Sequence, residues 1–163
     1  MTLRQTRGEI RMKSFKLKSM YYAPGYSDMR GGGHSASLKQ TKDGEWILVC
    51  NDREYYNAPT SVITYRVSPE AIGEFEDFLR KKRIPALSAR PKSRLFATDY
   101  HPWSYSIEYS RSLFGREKTE DRSLEEYRLY SRRDYRLLKE LKDHFQALKK
   151  DKISEETIEG DEY

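Results

Sequence analysis

The stretch His34-Ser-Ala-Ser-Leu-Lys-Gln-Thr-Lys-Asp-Gly-Glu-Trp-Ile-Leu-Val-Cys50 decides the fold. From His34 to Gln40 the residues alternate, and Trp46 to Cys50 form a continuous apolar run. Between them lies Lys42-Asp43-Gly44. Asp-Gly between two strand-like runs predicts a β-hairpin, because glycine takes the positive φ that a tight turn requires.

On the N-terminal side, Ile10 and Met12 and then Phe15 and Leu17 are apolar against lysines, with a phase shift at Ser14. This spacing predicts a half-buried strand over 10–21 with a bulge. Residues 22–33, containing Pro24, Gly25 and Gly31-Gly32-Gly33, read as a loop. On the C-terminal side, residues 51–59 read as a second loop, and the β-branched run from Val62 to Val67 as a further strand.

Ser68 then opens a helix. It is a good N-cap, Pro69 suits the first helical position, and Glu70 complements the positive helix end. Ile72, Phe75, Phe78 and Leu79 share one face at helical spacing. Lys81, Lys82 and Arg83 favour the negative end, and Pro85 stops the helix. Beyond it, Leu87, Leu95 and Phe96 are expected to plug the core and Trp103 to anchor a loop. Tyr105 to Tyr109 alternates as a strand, and 111–123 reads as a long polar hairpin loop. Segment 124–131 fits a strand, but Ser123 followed by Glu126 also fits a capping box. A final helix runs to about residue 150, with Leu138, Leu141, Phe145 and Leu148 as its stripe.

Hairpins dominate and the helices are segregated. The expected fold is therefore α+β: a mainly antiparallel sheet of five to six strands with two amphipathic helices on one face. The length of 163 residues suits one domain. We assign it to 1–150, followed by an acidic, flexible tail over 151–163. The 13 tyrosines and 6 phenylalanines must pack somewhere, which sets the chain apart from disordered sequences of similar charge.

Cys50 is the sole cysteine, so an intramolecular disulfide is excluded, and its place in an apolar run marks it as a core thiol. No apolar stretch is long enough to cross a membrane, and no apolar segment follows the basic first residues as in a secretory signal. The expected compartment is the cytoplasm. His34, His101 and His144 lack a second ligand at metal spacing, and no cofactor fingerprint is present, so neither metal nor cofactor is expected.

Two local constellations are chemically suggestive. Gly31-Gly32-Gly33-His34 brings backbone flexibility next to an imidazole, as a ligand or phosphate loop would. Arg80, Lys81, Lys82, Arg83, Arg90, Lys92 and Arg94 form an acid-free basic run, with Trp103 and neighbouring tyrosines as stacking platforms for nucleic acid. Against this, the helix-end cations already have a local electrostatic role. Asp99-Tyr100-His101 with Ser104 is a weaker carboxylate–imidazole grouping.

The order of these patterns resembles a set of small bacterial cytoplasmic α+β proteins of unknown function. The shared features are the glycine-rich lead into an alternating strand, the helix with Ile72, Phe75 and Phe78, the Trp103 loop and the strand Tyr105 to Tyr109. The resemblance covers residues 10–150 and implies an α+β fold but no activity. Without a catalytic signature, the expectation is a non-enzymatic binding domain, with another protein as partner. Nucleic-acid binding through 80–94 and a small-ligand or hydrolytic site at Gly31–His34 are the alternatives. The oligomeric state is open.

Overall fold

Alternation along the central strands dictates the layering. The computed structural model describes residues 15–24, 26–27, 31–89, 100, 101, 103–113, 115–125 and 132–160. Strands β1 (Lys16–Ala23), β3 (Gly31–Gln40), β4 (Trp46–Tyr55), β5 (Thr60–Val67), β7 (Ser104–Leu113), β8 (Arg116–Glu125) and β9 (Asp151–Ile158) form one sheet in the order β8-β7-β1-β3-β4-β5-β9. Every neighbouring pair is antiparallel. The two-residue strands β2 (Tyr26–Ser27) and β6 (Tyr100–His101) pair separately.

The fold class is α+β, as expected, but with a seven-stranded sheet instead of five or six. The added strands come from the most polar stretches. Within 111–123, read as a loop, Arg111 to Leu113 instead continue β7 and Arg116 onward forms β8, paired from Ser104↔Glu125 to Leu113↔Arg116. The acidic segment read as a flexible tail forms β9 over Asp151–Ile158. All eight of its residues are exposed, so charge there carries no desolvation cost, while β5 gains a full ladder partner. The expected loop over 51–59 is shortened, because β4 runs on to Tyr55. The bulge in β1 falls between Leu17 and Ser19, which lets both Leu17 and Met20 face inward. Residues 10–14, 90–99 and 126–131 lie outside the described residues.

Register sets one face. Ile107, Met20, Leu38, Leu48 and Tyr65 stand opposite one another across β7, β1, β3, β4 and β5. The next row is Tyr105, Tyr22, Ala36, Cys50 and Ile63. Helix α1 (Pro69–Lys81) contributes Ile72, Phe75, Phe78 and Leu79 to this core, and helix α2 (Arg132–Ala147) contributes Leu137, Leu138, Leu141 and Phe145. Leu148, just past α2, completes the expected stripe.

The helix signals act as read. Ser68 Oγ accepts from the Ala71 amide at 3.1 Å, and Pro69 occupies the first turn. After Lys81 the chain turns through Arg83, whose φ is +52°, and Ile84–Ala89 forms a 3-10 helix. The buried Tyr105 hydroxyl donates to the Ile84 carbonyl at 2.7 Å and pins that turn to β7. Leu95 and Phe96 lie outside the described residues, whereas Leu87 is buried.

The β7–β8 hairpin carries its own polar staple. Tyr109 donates its hydroxyl proton to Glu120 at 2.6 Å, and Arg111 donates to the same carboxylate at 2.6 Å. Burial raises the Glu120 carboxyl, but these two hydrogen bonds and the charges of Arg111 and Lys118 together hold it below its usual range.

Two outcomes follow from this architecture. Leu48 is 0% exposed. Leu48→Ala is expected to cost about 2–5 kcal/mol in urea unfolding, the range for a buried leucine whose site cannot collapse. Glu120→Gln is expected to cost about 1–3 kcal/mol at neutral pH. A carboxyl depressed in the native state stabilises above its unfolded value, about 4.3, and loses that stabilisation as pH falls through the native value. The deficit of Glu120→Gln should therefore shrink in acid, as urea curves at neutral and acid pH would show.

Candidate functional site

The row of side chains beyond Ala36 and Cys50 on the core-facing side is polar. There His34 of β3 stands opposite Asp52 of β4, and Asp52 opposite Ser61 of β5. Strand alternation puts His34 on the same face as Ala36 and Leu38. The apolar face thus ends in an imidazole–carboxylate pair. His34 Nδ1 lies 2.6 Å from Asp52 Oδ1, with the side chains 58% and 38% exposed. With Nδ1 committed to Asp52, Nε2 is the ring nitrogen left for another partner.

Above this row, α2 and the turn after it supply Lys142, Phe145, Gln146 and Lys149, at helical spacings that share one side. Together with Tyr22, Pro24, His34, Ser35, Ala36 and Asp52 they enclose a cleft of about 280 Å³. That equals roughly nine waters' share of liquid volume, enough for a ligand of about ten non-hydrogen atoms. Pro24, Ala36 and the rings of Tyr22 and Phe145 supply apolar wall, and the lysines, His34, Ser35 and Gln146 supply polar groups. Among the described residues neither Lys142 nor Lys149 is paired with a carboxylate, unlike Lys82, Lys118 and Lys152.

Tyr22 fixes the wall. Its ring stacks on Phe145 at 4.8 Å and lies 6.0 Å from Trp103. The residue is 4% exposed, and its hydroxyl has no hydrogen-bond partner among the described residues. Burial, reinforced by the charge of Asp143, pushes that hydroxyl upward, so it stays protonated. An unsatisfied buried hydroxyl costs about 1–3 kcal/mol.

Of the site candidates named in sequence, His34 alone among the described residues lines the cleft. Gly31, Gly32 and Gly33 do not form an open phosphate loop, because they belong to the β3–β4 ladder. Gly31 has φ +76°, and a Cβ on Gly32 would collide with the carbonyl oxygens of Arg53 and Glu54. At Gly32 the missing side chain serves close strand approach. In the basic run, Arg80 pairs with Asp77 at 3.0 Å and Lys82 with Glu140 at 3.7 Å. Lys81 and Arg83 are exposed, and Arg90, Lys92 and Arg94 lie outside the described residues. Trp103 is half-buried against the core instead of presented as a platform. Asp99 is outside the described residues, and His101 sits in β6 opposite Tyr26. His144 stacks on Phe78 at 3.7 Å, with Nδ1 2.8 Å from the Glu140 carbonyl. No metal-binding cluster of His, Cys, Asp and Glu occurs among the described residues.

Sequence reading missed Tyr22, Asp52, Lys142, Gln146 and Lys149 as site residues. Asp52 was within reach, since extending the hairpin register outward from Leu38 and Leu48 brings it opposite His34. The α2 residues carried no such signal, because the docking of a helix on a sheet is not written in local spacing.

Comparison of the chain with protein-family models, with curated proteins and with solved structures finds no match. No helix among the described residues is long and apolar enough to cross a membrane.

Cys50 lies one row inside the cleft and is 2% exposed. Burial pushes its thiol up; the nearby Lys149 opposes this and Asp52 adds to it. A thiol-specific disulfide reagent at neutral pH is expected to label it at least about tenfold more slowly in the folded chain than in denaturant. Equal rates would contradict the packing of this row.

Proposed function

We propose that this protein is a small-ligand-binding domain whose cleft holds a compact organic anion. One observation carries the reading: a cleft of about 280 Å³ has Lys142 and Lys149 along its helix side and the His34–Asp52 pair along its sheet side. Lysine ammonium groups next to a concave, partly apolar wall attract anions, and the low-dielectric wall strengthens that attraction. Asp52 brings one negative charge against two ammonium groups, so it does not cancel both lysines. Tyr22, Phe145, Pro24 and Ala36 would take the organic part of the ligand. The reading keeps the expectation of a binding domain but gives it a small molecule as partner instead of a protein. It is favoured over nucleic acid because two of the cations in 80–83 are already neutralised by Asp77 and Glu140.

Benzoate, phenyl sulfate and phenyl phosphate serve as probes in calorimetric titration and thermal unfolding. At least one is expected to bind saturably and to raise the unfolding temperature. The charge-reversed double variant Lys142→Glu/Lys149→Glu is expected to lose at least about tenfold in affinity. Both lysines are outside the core, so the variant should fold. Absence of saturable binding by all three probes, or unchanged affinity in the variant, would overturn the proposal.

A further inference from the structure

We infer that the anion this cleft is built for is a small phosphate monoester, bound as the dianion between α2 and the His34 edge of β3. The inference rests on the anion-binding reading above and narrows it to a ligand class. The lining charges favour a doubly charged anion over a singly charged one. Lys142 and Lys149 stand two helical turns apart on one side of the cleft and have no carboxylate partner among the described residues. The carboxylate lining the cleft, Asp52, is held by His34 at 2.6 Å. The two ammonium groups outnumber the lining carboxylate, so the cleft wall is net positive, and a dianion is drawn to it about twice as strongly as a monoanion of the same shape.

Donor chemistry agrees. The donors of the polar lining are separated and single-point, two ammonium groups, the His34 ring and the Gln146 amide, beside the Asp52 carboxylate. Among the described residues no arginine lines the cleft, and the planar two-point fork that favours carboxylates belongs to arginine. Point donors approaching from the helix and from the sheet suit a tetrahedral group whose oxygens diverge. Size agrees as well. A phosphate group and one small ring or short chain fill the volume, and the stacked Tyr22 and Phe145 give that organic part an aromatic wall.

Matched probes test the class. Phenyl phosphate and phenyl sulfate have almost the same shape. Near pH 7.5 the first is mainly a dianion and the second a monoanion, because the second phosphate ionisation lies near pH 6. Phenyl phosphate is expected to bind at least about tenfold more tightly than phenyl sulfate, equivalent to about 1.4 kcal/mol. It should also bind more tightly than inorganic phosphate, which lacks the ring. Lys149→Gln is expected to bring the two phenyl probes to within about threefold of each other by removing the charge that the second negative charge answers. His34→Gln should weaken both probes.

Equal affinity for phenyl phosphate and phenyl sulfate would overturn the dianion assignment while leaving anion binding in place. Equal affinity for phenyl phosphate and inorganic phosphate would overturn the monoester. Failure of every probe to bind would remove the broader reading together with this one. Tight binding of a phosphotyrosine peptide in place of phenyl phosphate would also overturn the small-molecule assignment.

Discussion

The β3–β4 register constrains everything else in the molecule. It sets Leu38 against Leu48, Ala36 against Cys50 and His34 against Asp52 on a single face. A slip of one residue would carry all six side chains to the opposite side. The same face would then present Lys39 and Ser37 to the helices. Burial of the Leu38 and Leu48 side chains, each stabilising by roughly 1.5–3 kcal/mol, therefore also orients the His34–Asp52 pair. Site geometry is inherited from core packing, and the Lys42-Asp43-Gly44 turn is where that inheritance begins. Gly44, at φ +82°, takes the left-handed backbone conformation the turn needs.

The helix side of the cleft is held by aromatic contacts more than by charge. Phe145 stacks on Tyr22 at 4.8 Å and meets Phe75 edge-on at 5.1 Å, so one residue of α2 touches both the sheet and α1. Phe78 and His144 stack at 3.7 Å and tie the two helices together again. Such contacts fix orientation as well as distance, because aromatic pairs have preferred geometries. Lys142 projects from a helix whose rotation is set by Phe145 and Leu141, and Lys149 from the turn that follows it. Their placement next to the cleft needs no ligand to organise it.

How much of this was legible in the sequence differs by element, for physical reasons. The 34–50 hairpin and helix α1 were readable because their signals are local: a turn residue with positive φ, an N-cap, a proline at the helix start and an apolar stripe. Strands β8 and β9 were not, because edge strands bury little and their sequences are written by solubility. All eight residues of β9 are exposed, and what holds it is backbone pairing, which any side chain permits. The glycine run misled for a related reason. Glycine marks backbone freedom and also close backbone approach, and only three-dimensional packing separates the two. At Gly32 the nearby carbonyls of Arg53 and Glu54 decide for close approach. His34 was legible as a candidate, but its partner lay in a stretch read as loop.

Linear charge density does not show which cations the fold leaves without a partner. The chain carries +5, and its densest basic run suggested a polyanion surface. In the folded chain much of that charge is answered locally: Arg80 by Asp77, Lys82 by Glu140, Arg111 and Lys118 by Glu120, and Arg66 by Asp151. Exposed pairs of this kind contribute little to stability, typically below about 1 kcal/mol each, but they flatten the surface potential. A cation matters for recognition when it lacks such a partner and borders a concavity with a low-dielectric wall. Among the described residues Lys142 and Lys149 meet both conditions. On the proposed reading, recognition follows from where charge is left unanswered in the fold, a quantity that linear density along the chain does not contain.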